Sequence, residues 1–327
     1  MEKQWEYEVK SGIYGLCVAD ALGVPGEGMH REELRQEPIM EMIDSFDRLR
    51  GQPKGSWSDD SSMTLCLMDS LALTGGLHTH DLMDRFHDWR DNGAYTPSGD
   101  CFDHGIQVSW ALSRSKNGTP PSLCGGNKSN TNGNGSLMRI LPMAYYLYPR
   151  YGKKLAANKP LELVHKASAL THRHAWSLSA CGIYVNVAAK LLDGLNLQEA
   201  IRAGTKEALE WYDFHSMGHL MYVWDRLRDM DAFAQLPESE ISSHGNAMAT
   251  LEAALWCLLN TDNYRDSVVK AVNLGYDTDT VGAVAGGLAG LYYGYDTIPA
   301  EWVADLLNKE LINGVCQRFT DSTNCRT

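Results

Sequence analysis

The chain has 327 residues, 44% hydrophobic and 21% charged, which fits a folded globular protein and excludes a disordered or fibrous one. A formal net charge of −12 argues against nucleic-acid binding as the main activity, because grip on a phosphate backbone needs a basic surface. The opening MEKQWEYEVK lacks the apolar centre of a signal peptide, and no run approaches the roughly 18 to 20 apolar residues of a membrane span, so a cytoplasmic protein without a span is expected.

In chain order, residues Gly15 to Glu27 read as a short helix followed by a turn, in which small residues and Pro25 hold Glu27 in a set direction. Taken alone, Glu27 reads more simply as a solvated loop residue. After a break at Gly51 to Gly55, Ser58-Asp59-Asp60 precedes an apolar stretch of helical spacing from Met63 to Leu73, which describes a capped helix start. A long Asn- and Gly-rich loop spans Asn117 to Gly135. Its glycines would let backbone N–H groups approach an anion, and Asn134 tolerates unusual dihedrals, although a G-x-G of this kind is also common in ordinary turns. Arg139 just beyond it would serve a diphosphate or an internal salt bridge equally well.

Helical periodicity returns at Leu161 to Leu170 and Trp176 to Leu192, separated by His172 and His174, which suit hydrogen-bonding or packing roles better than a metal. Gly204 and Gly245 read as further loop positions, flanking a helix at Ala247 to Leu259. A second polar start, Asp277-Thr278-Asp279-Thr280, opens a helix running to Tyr293. Gly282, Gly286 and Gly290 within it cost roughly 1 kcal/mol each relative to alanine, so close backbone packing on that face is expected as the offset. A last periodic stretch covers Trp302 to Leu311, and the tail after about Glu310 carries no interpretable feature. Eight cysteines show no C-x-x-C pair. Cys316 and Cys325 would bridge only under oxidants, and reduced thiols fit a cytoplasmic protein better. The expected architecture is all-α, a single-domain, irregular, mostly orthogonal helical bundle over 1–327, with its motifs between about 11 and 302.

Two or more acids at each of two helix starts exceed what capping requires, since one side-chain oxygen suffices for a cap worth about 1 kcal/mol. If the starts converged, the carboxylates could not all stay ionised without a cation between them, and oxygen-only ligands favour a hard ion such as Mg²⁺, Mn²⁺ or Ca²⁺. From these residues alone, capping and metal binding both remain open.

Six separated segments together resemble the ADP-ribosylglycohydrolase family, above all its members acting on ADP-ribosyl-arginine. They are Ala19-Asp20-Ala21-Leu22-Gly23 with Pro25 and Glu27, Gly55 to Met63, Cys101-Phe102-Asp103-His104-Gly105, Gly133 to Arg139, Leu170-Thr171-His172, and Asn273 to Thr280. The resemblance implies a hydrolase with two divalent cations, Mg²⁺ or Mn²⁺, held by Ser58, Asp59, Asp60, Asp277, Asp279 and Thr280. It implies catalytic roles for Glu27, Asp60 and Asp279, and contacts to ADP-ribose and the modified protein by Asp103, Gly133, Asn134, Gly135, Ser136, Leu137 and His172. Ala19 departs from the family's usual glycine, serines stand at 58 and 61 where threonine is common, and His104 replaces an aliphatic residue. A catalytically silent protein that binds ADP-ribose or a modified partner is the alternative, and a phosphohydrolase acting on nucleotides is a further one.

Overall fold

A computed structural model describes residues 2–45, 51–215 and 217–324. Among these, fifteen α-helices form and no strand does. The first five are α1 (Glu2–Gly23), α2 (Arg31–Gln36), α3 (Asp59–Thr74), α4 (Thr79–Asn92) and α5 (Ile106–Lys116). The middle of the chain supplies α6 (Leu141–Tyr151), α7 (Asn158–Ala169), α8 (Ala175–Leu192), α9 (Leu197–Asp213) and α10 (Met230–Ala234). The last five are α11 (Ala247–Leu259), α12 (Tyr264–Val272), α13 (Thr278–Tyr293), α14 (Ala300–Asp305) and α15 (Lys309–Asn324). The all-α expectation holds, and two isolated bridges, Gly126 with His172 and Gly133 with Asn246, are the only β-type pairings among the described residues.

The centre of the bundle is the pair α1 and α13, and glycine makes it. A Cβ on Gly286 would lie 2.3 Å from the Ala19 Cβ and 2.5 Å from the Gly15 carbonyl, and one on Gly290 would lie 2.4 Å from the Ser11 carbonyl. The two backbones therefore touch along their length, which is the offset expected for the glycines of α13. At the C-terminal end of α1 the same closeness reaches the first turn of α13, since a Cβ on Gly23 would sit 2.4 Å from the Asp279 Cα. Around this pair, α3 packs against α15 and α4, while α8 packs against α9, α7 and α6. All of these elements feed one continuous cluster of buried apolar side chains.

Several sequence expectations need correction. The helix before Glu27 is not short: α1 runs 22 residues, because its buried face is continuous with α13 rather than confined to its last turns. Gly204 does not mark a loop but lies within α9, where a Cβ would come 2.6 Å from the Val187 backbone of α8, so the glycine lets two helices approach. The stretch Trp302 to Leu311 is two helices rather than one. Between them Asn308 adopts φ +46, and the Leu307 amide and carbonyl bond instead to the Gly55 carbonyl (3.0 Å) and the Trp57 indole N–H (3.1 Å). The tail forms α15, which buries Ile312, Val315 and Phe319 against α3 and α1. Cys316 is buried and free, and Cys325 falls outside the described residues.

Among the described residues, one helix is long and apolar enough to cross a membrane. It is Ala175–Leu192, and 78% of it is buried inside the protein, where a core helix must be apolar on every side.

Candidate active site

The two polar helix starts meet, although 220 residues separate the atoms that join them. At the start of α3, Ser58 is the N-cap residue, yet the anion serving most of the free N–H groups comes from α1. The buried carboxylate of Asp20 accepts from the Ser58 amide (3.0 Å), the Ser61 amide (3.0 Å) and the Ser61 hydroxyl (2.5 Å). Capping is thus met by Asp20 and the Ser58 hydroxyl, and the two acids that follow are left for other work. Asp59 Oδ2 accepts from the Gly105 amide at 3.3 Å. Asp60 Oδ2 accepts from the Ser58 hydroxyl (3.1 Å) and, across the gap, from the Thr280 hydroxyl (3.3 Å), while Asp60 Oδ1 is buried with no protein partner.

At the start of α13, Asp277 occupies the N-cap position but makes no capping bond. Its Oδ2 accepts instead from the Asn134 side-chain amide at 2.7 Å. Two carboxylates serve the first amides of this helix: Glu27 Oε2 accepts from the Thr278 amide at 3.1 Å, and Asp279 Oδ1 from the Thr280 amide at 2.8 Å. Glu27 is brought there by paired backbone bonds between the turn after α1 and the second residue before α13, the Gly28 amide to the Tyr276 carbonyl and the Tyr276 amide to the Met29 carbonyl, both 2.7 Å. Tyr276 pays for this with φ +65, unusual for a bulky residue. One carboxylate oxygen each from Glu27, Asp277 and Asp279 lies within 4.8 Å of the others.

Burial and mutual repulsion push these acids toward protonation. Loss of water raises Glu27 to about 8, helped by the Asp277 charge. Burial also raises Asp59, Asp60, Asp277 and Asp279, and the Asp59 and Asp279 shifts are reinforced by neighbouring carboxylates. Among the described residues, no lysine or arginine lines the cavity that Asp59, Asp277 and Asp279 face. An oxygen-only set of this density, with one buried carboxylate oxygen orphaned, fits hard divalent cations; Ser58, Asp59, Asp60, Asp277, Asp279 and Thr280 are grouped where they could hold them, with Glu27 beside Asp277 and Asp279.

The cavity measures about 280 Å³ and opens between α3, α5, α13 and the glycine-rich loop. Of the residues named for the substrate, Asp103, Gly133, Asn134, Gly135 and His172 line it. Ser136 and Leu137 do not. The Ser136 hydroxyl turns inward to Ser168 (2.8 Å) and the Leu137 side chain joins the core, because the loop curls into a turn closed by Leu137 and Met138 amides on the Asn134 carbonyl. Arg139 is fully buried, turned away from the cavity, and makes no salt bridge among the described residues. Its guanidinium donates to the Ala167 carbonyl and the Thr171 hydroxyl and lies over the Phe86 ring. His174 caps α8 through the Trp176 amide, at 3.3 Å, away from the acids.

The sequence reading missed four contributors. Asp20 acts through α3 rather than in the cavity. Ile106 and Gln107 line the wall from α5, and Gly245 lets the backbone pass so close that a Cβ there would lie 2.9 Å from Asp277 Oδ2. An acid within an apolar stretch, three residues before the end of its helix, was the available signal for Asp20; Gln107 and Gly245 carried none.

A family model described as ADP-ribosylglycohydrolase matches residues 1–326. The chain is 29% identical over 315 residues to the ADP-ribosylarginine hydrolase Tri1 of Serratia proteamaculans, covering 95% of this chain and 78% of that protein. It is 28% identical over 296 residues to the ADP-ribosyl-[dinitrogen reductase] glycohydrolase of Rhodospirillum rubrum, covering 89% and 87%. A solved structure titled "ADP-ribosylglycohydrolase-related protein complex" superposes with a TM-score of 0.75 at 28% identity, over 98% of this chain and 99% of that one.

Proposed function

The chain belongs to the ADP-ribosylglycohydrolase family, and from that premise we propose that it hydrolyses the N-glycosidic bond joining ADP-ribose to a modified protein side chain, arginine above all, with two divalent cations as cofactors. The observation that carries this reading is the meeting of Asp59, Asp277 and Asp279 with Glu27 in one cavity that, among the described residues, no lysine or arginine lines, with Asp60 joined to it through the Thr280 hydroxyl. The naming of two relatives as hydrolases of ADP-ribosylated arginine and dinitrogen reductase supports the substrate class.

Mg²⁺ or Mn²⁺ held by Ser58, Asp59, Asp60, Asp277, Asp279 and Thr280 would polarise substrate oxygens and acidify bound water. The chain's own residues account for the rest. Glu27, at the cavity wall with Oε2 held by the Thr278 amide, is placed to hold or take a proton beside the scissile bond. The ring of acids stabilises positive charge developing on the ribose. Asp103 faces the same cavity and is placed to orient a guanidinium leaving group through a bidentate pair. Gly133 and Gly135 leave room for the phosphates, with His172 behind them.

The test is release of free ADP-ribose from an arginine-modified protein, with and without chelator. Asp60→Asn and Asp279→Asn are each expected to reduce turnover by at least about 100-fold and to weaken Mn²⁺ binding in a titration. Unchanged release in both variants would sink the scheme. Binding of ADP-ribose without any release would favour a silent binding protein, and release of phosphate or AMP a phosphohydrolase.

A further inference from the structure

Arg139 is a fully buried cation that, among the described residues, no carboxylate pairs with. Burial costs it enough to bring its guanidinium down to about 10, and its Nε has no acceptor. A methionine or leucine would fill the same volume without desolvating a charge, so packing alone does not explain an arginine here. Its two hydrogen bonds show what it does. One N–H donates to the Ala167 carbonyl in α7 (3.2 Å) and another to the Thr171 hydroxyl (2.7 Å).

An arginine can only donate, so Thr171 Oγ1 must accept from it, and the hydroxyl proton must go elsewhere. The one acceptor left to that proton among the described contacts is His172 Nδ1, 2.9 Å away. A proton on Nδ1 would strand the hydroxyl proton in a buried site. The relay therefore makes Nδ1 an acceptor and puts the imidazole proton on Nε2. Nε2 faces the cavity, lying 3.1 Å from where a Cβ on Gly133 would be and 3.4 Å from one on Gly135. The backbone that carries the ring is itself held, since the His172 carbonyl accepts from the Ser168 hydroxyl (3.0 Å) and its amide donates to the Ser168 carbonyl (2.9 Å).

The geometry points to Arg139 as a positioning residue that, through Thr171, fixes His172 as the Nε2–H tautomer and so presents a hydrogen-bond donor to an oxygen of ADP-ribose beside the glycine-rich loop. The ligand named here rests on the functional reading above; the tautomer does not. Burial, and then the nearby Arg139 charge, keep the ring neutral by lowering His172 to about 3, so the donor is a neutral N–H at all physiological pH.

The test is long-range proton–nitrogen NMR on the full chain labelled with ¹⁵N-histidine, the His172 signals being identified by their loss in His172→Gln. The expected wild-type pattern is an unprotonated Nδ1 and a protonated Nε2. Thr171→Ser should keep it, and Thr171→Val and Arg139→Met should turn it into a mixture of both tautomers. In the same variants, KM for an ADP-ribosylated arginine protein should rise about fivefold to tenfold with kcat within about twofold, and Thr171→Ser should restore it. If Arg139→Met does not fold, the two Thr171 variants decide the matter. A protonated Nδ1 in the wild type, or an unchanged pattern in Thr171→Val, overturns the inference. The expected tautomers without any hydrolysis would instead overturn the functional reading and leave the relay standing.

Discussion

At the residue scale, acids of the same type have been given different tasks by their neighbours. Asp20 holds the first turn of α3 through two amides and a hydroxyl, and burial lifts it to about 6. Asp20→Ala would leave those donors buried without an acceptor, so a loss of about 2 kcal/mol and weaker Mn²⁺ binding are expected, read by thermal denaturation and calorimetric titration. Retention of both would show that the α3 start orders itself. His172 gives a pH prediction whose sign follows from its depressed folded value of about 3 against about 6.5 unfolded. Between those values the unfolded chain binds the proton and the folded one does not, so this contribution to stability is complete above about pH 6.5 and falls as pH drops. Wild type should lose about 2 kcal/mol more than His172→Gln between pH 8 and pH 5, and parallel melting curves would refute it. The acids at 59, 60, 277 and 279 were legible because their number exceeded what caps need. Ser136 and Leu137 were misread because a motif gives residue order and not side-chain direction. Asp20 stood in the opening motif without an assigned role, because its partners are supplied by a helix start 38 or more residues away.

At the scale of elements, the site stands on a helix pair, α1 and α13, whose backbones touch at glycines. Gly286→Ala gains about 1 kcal/mol in helix propensity, but its methyl would overlap Ala19 and the Gly15 carbonyl, and overpacking of that severity costs more. A net loss of about 2 kcal/mol is expected, seen as a lower denaturation midpoint; a more stable variant would mean the pair has slack. Helices α3, α8, α11 and α13 were readable from apolar spacing, because each is buried on most sides. Helices α4, α9 and α15 escaped, because their exposed faces dilute the apolar signal until the partner surface is known. The break between α14 and α15 was unreadable for a related reason: the groups that stabilise it belong to the loop before α3.

At the scale of the whole molecule, the acidic cluster sets a debt that bound cations would cancel. Ligand that binds only the folded state stabilises it by about 2.7 kcal/mol at one hundred times its dissociation constant, which for a chain of this size is about 5 °C. Adding Mg²⁺ or Mn²⁺ to chelator-treated protein should raise the melting temperature by that order, and Asp279→Asn should reduce the rise; no shift in either protein would argue that the acids hold no ion. The general class of fold followed from periodicity, whereas the convergence of the two helix starts did not, since nothing local to residues 58 or 277 encodes their distance.

That separation also governs when the site comes into being. A nascent polypeptide on the ribosome exposes Asp59 and Asp60 early, but Asp279 and Thr280, which complete the set, emerge only 220 positions later. Until then the early acids have neither counter-ions nor the α13 backbone that seats α1. Ribosome-bound chains halted before residue 277 should therefore gain no protease resistance from Mn²⁺, and chains extended through α13 should.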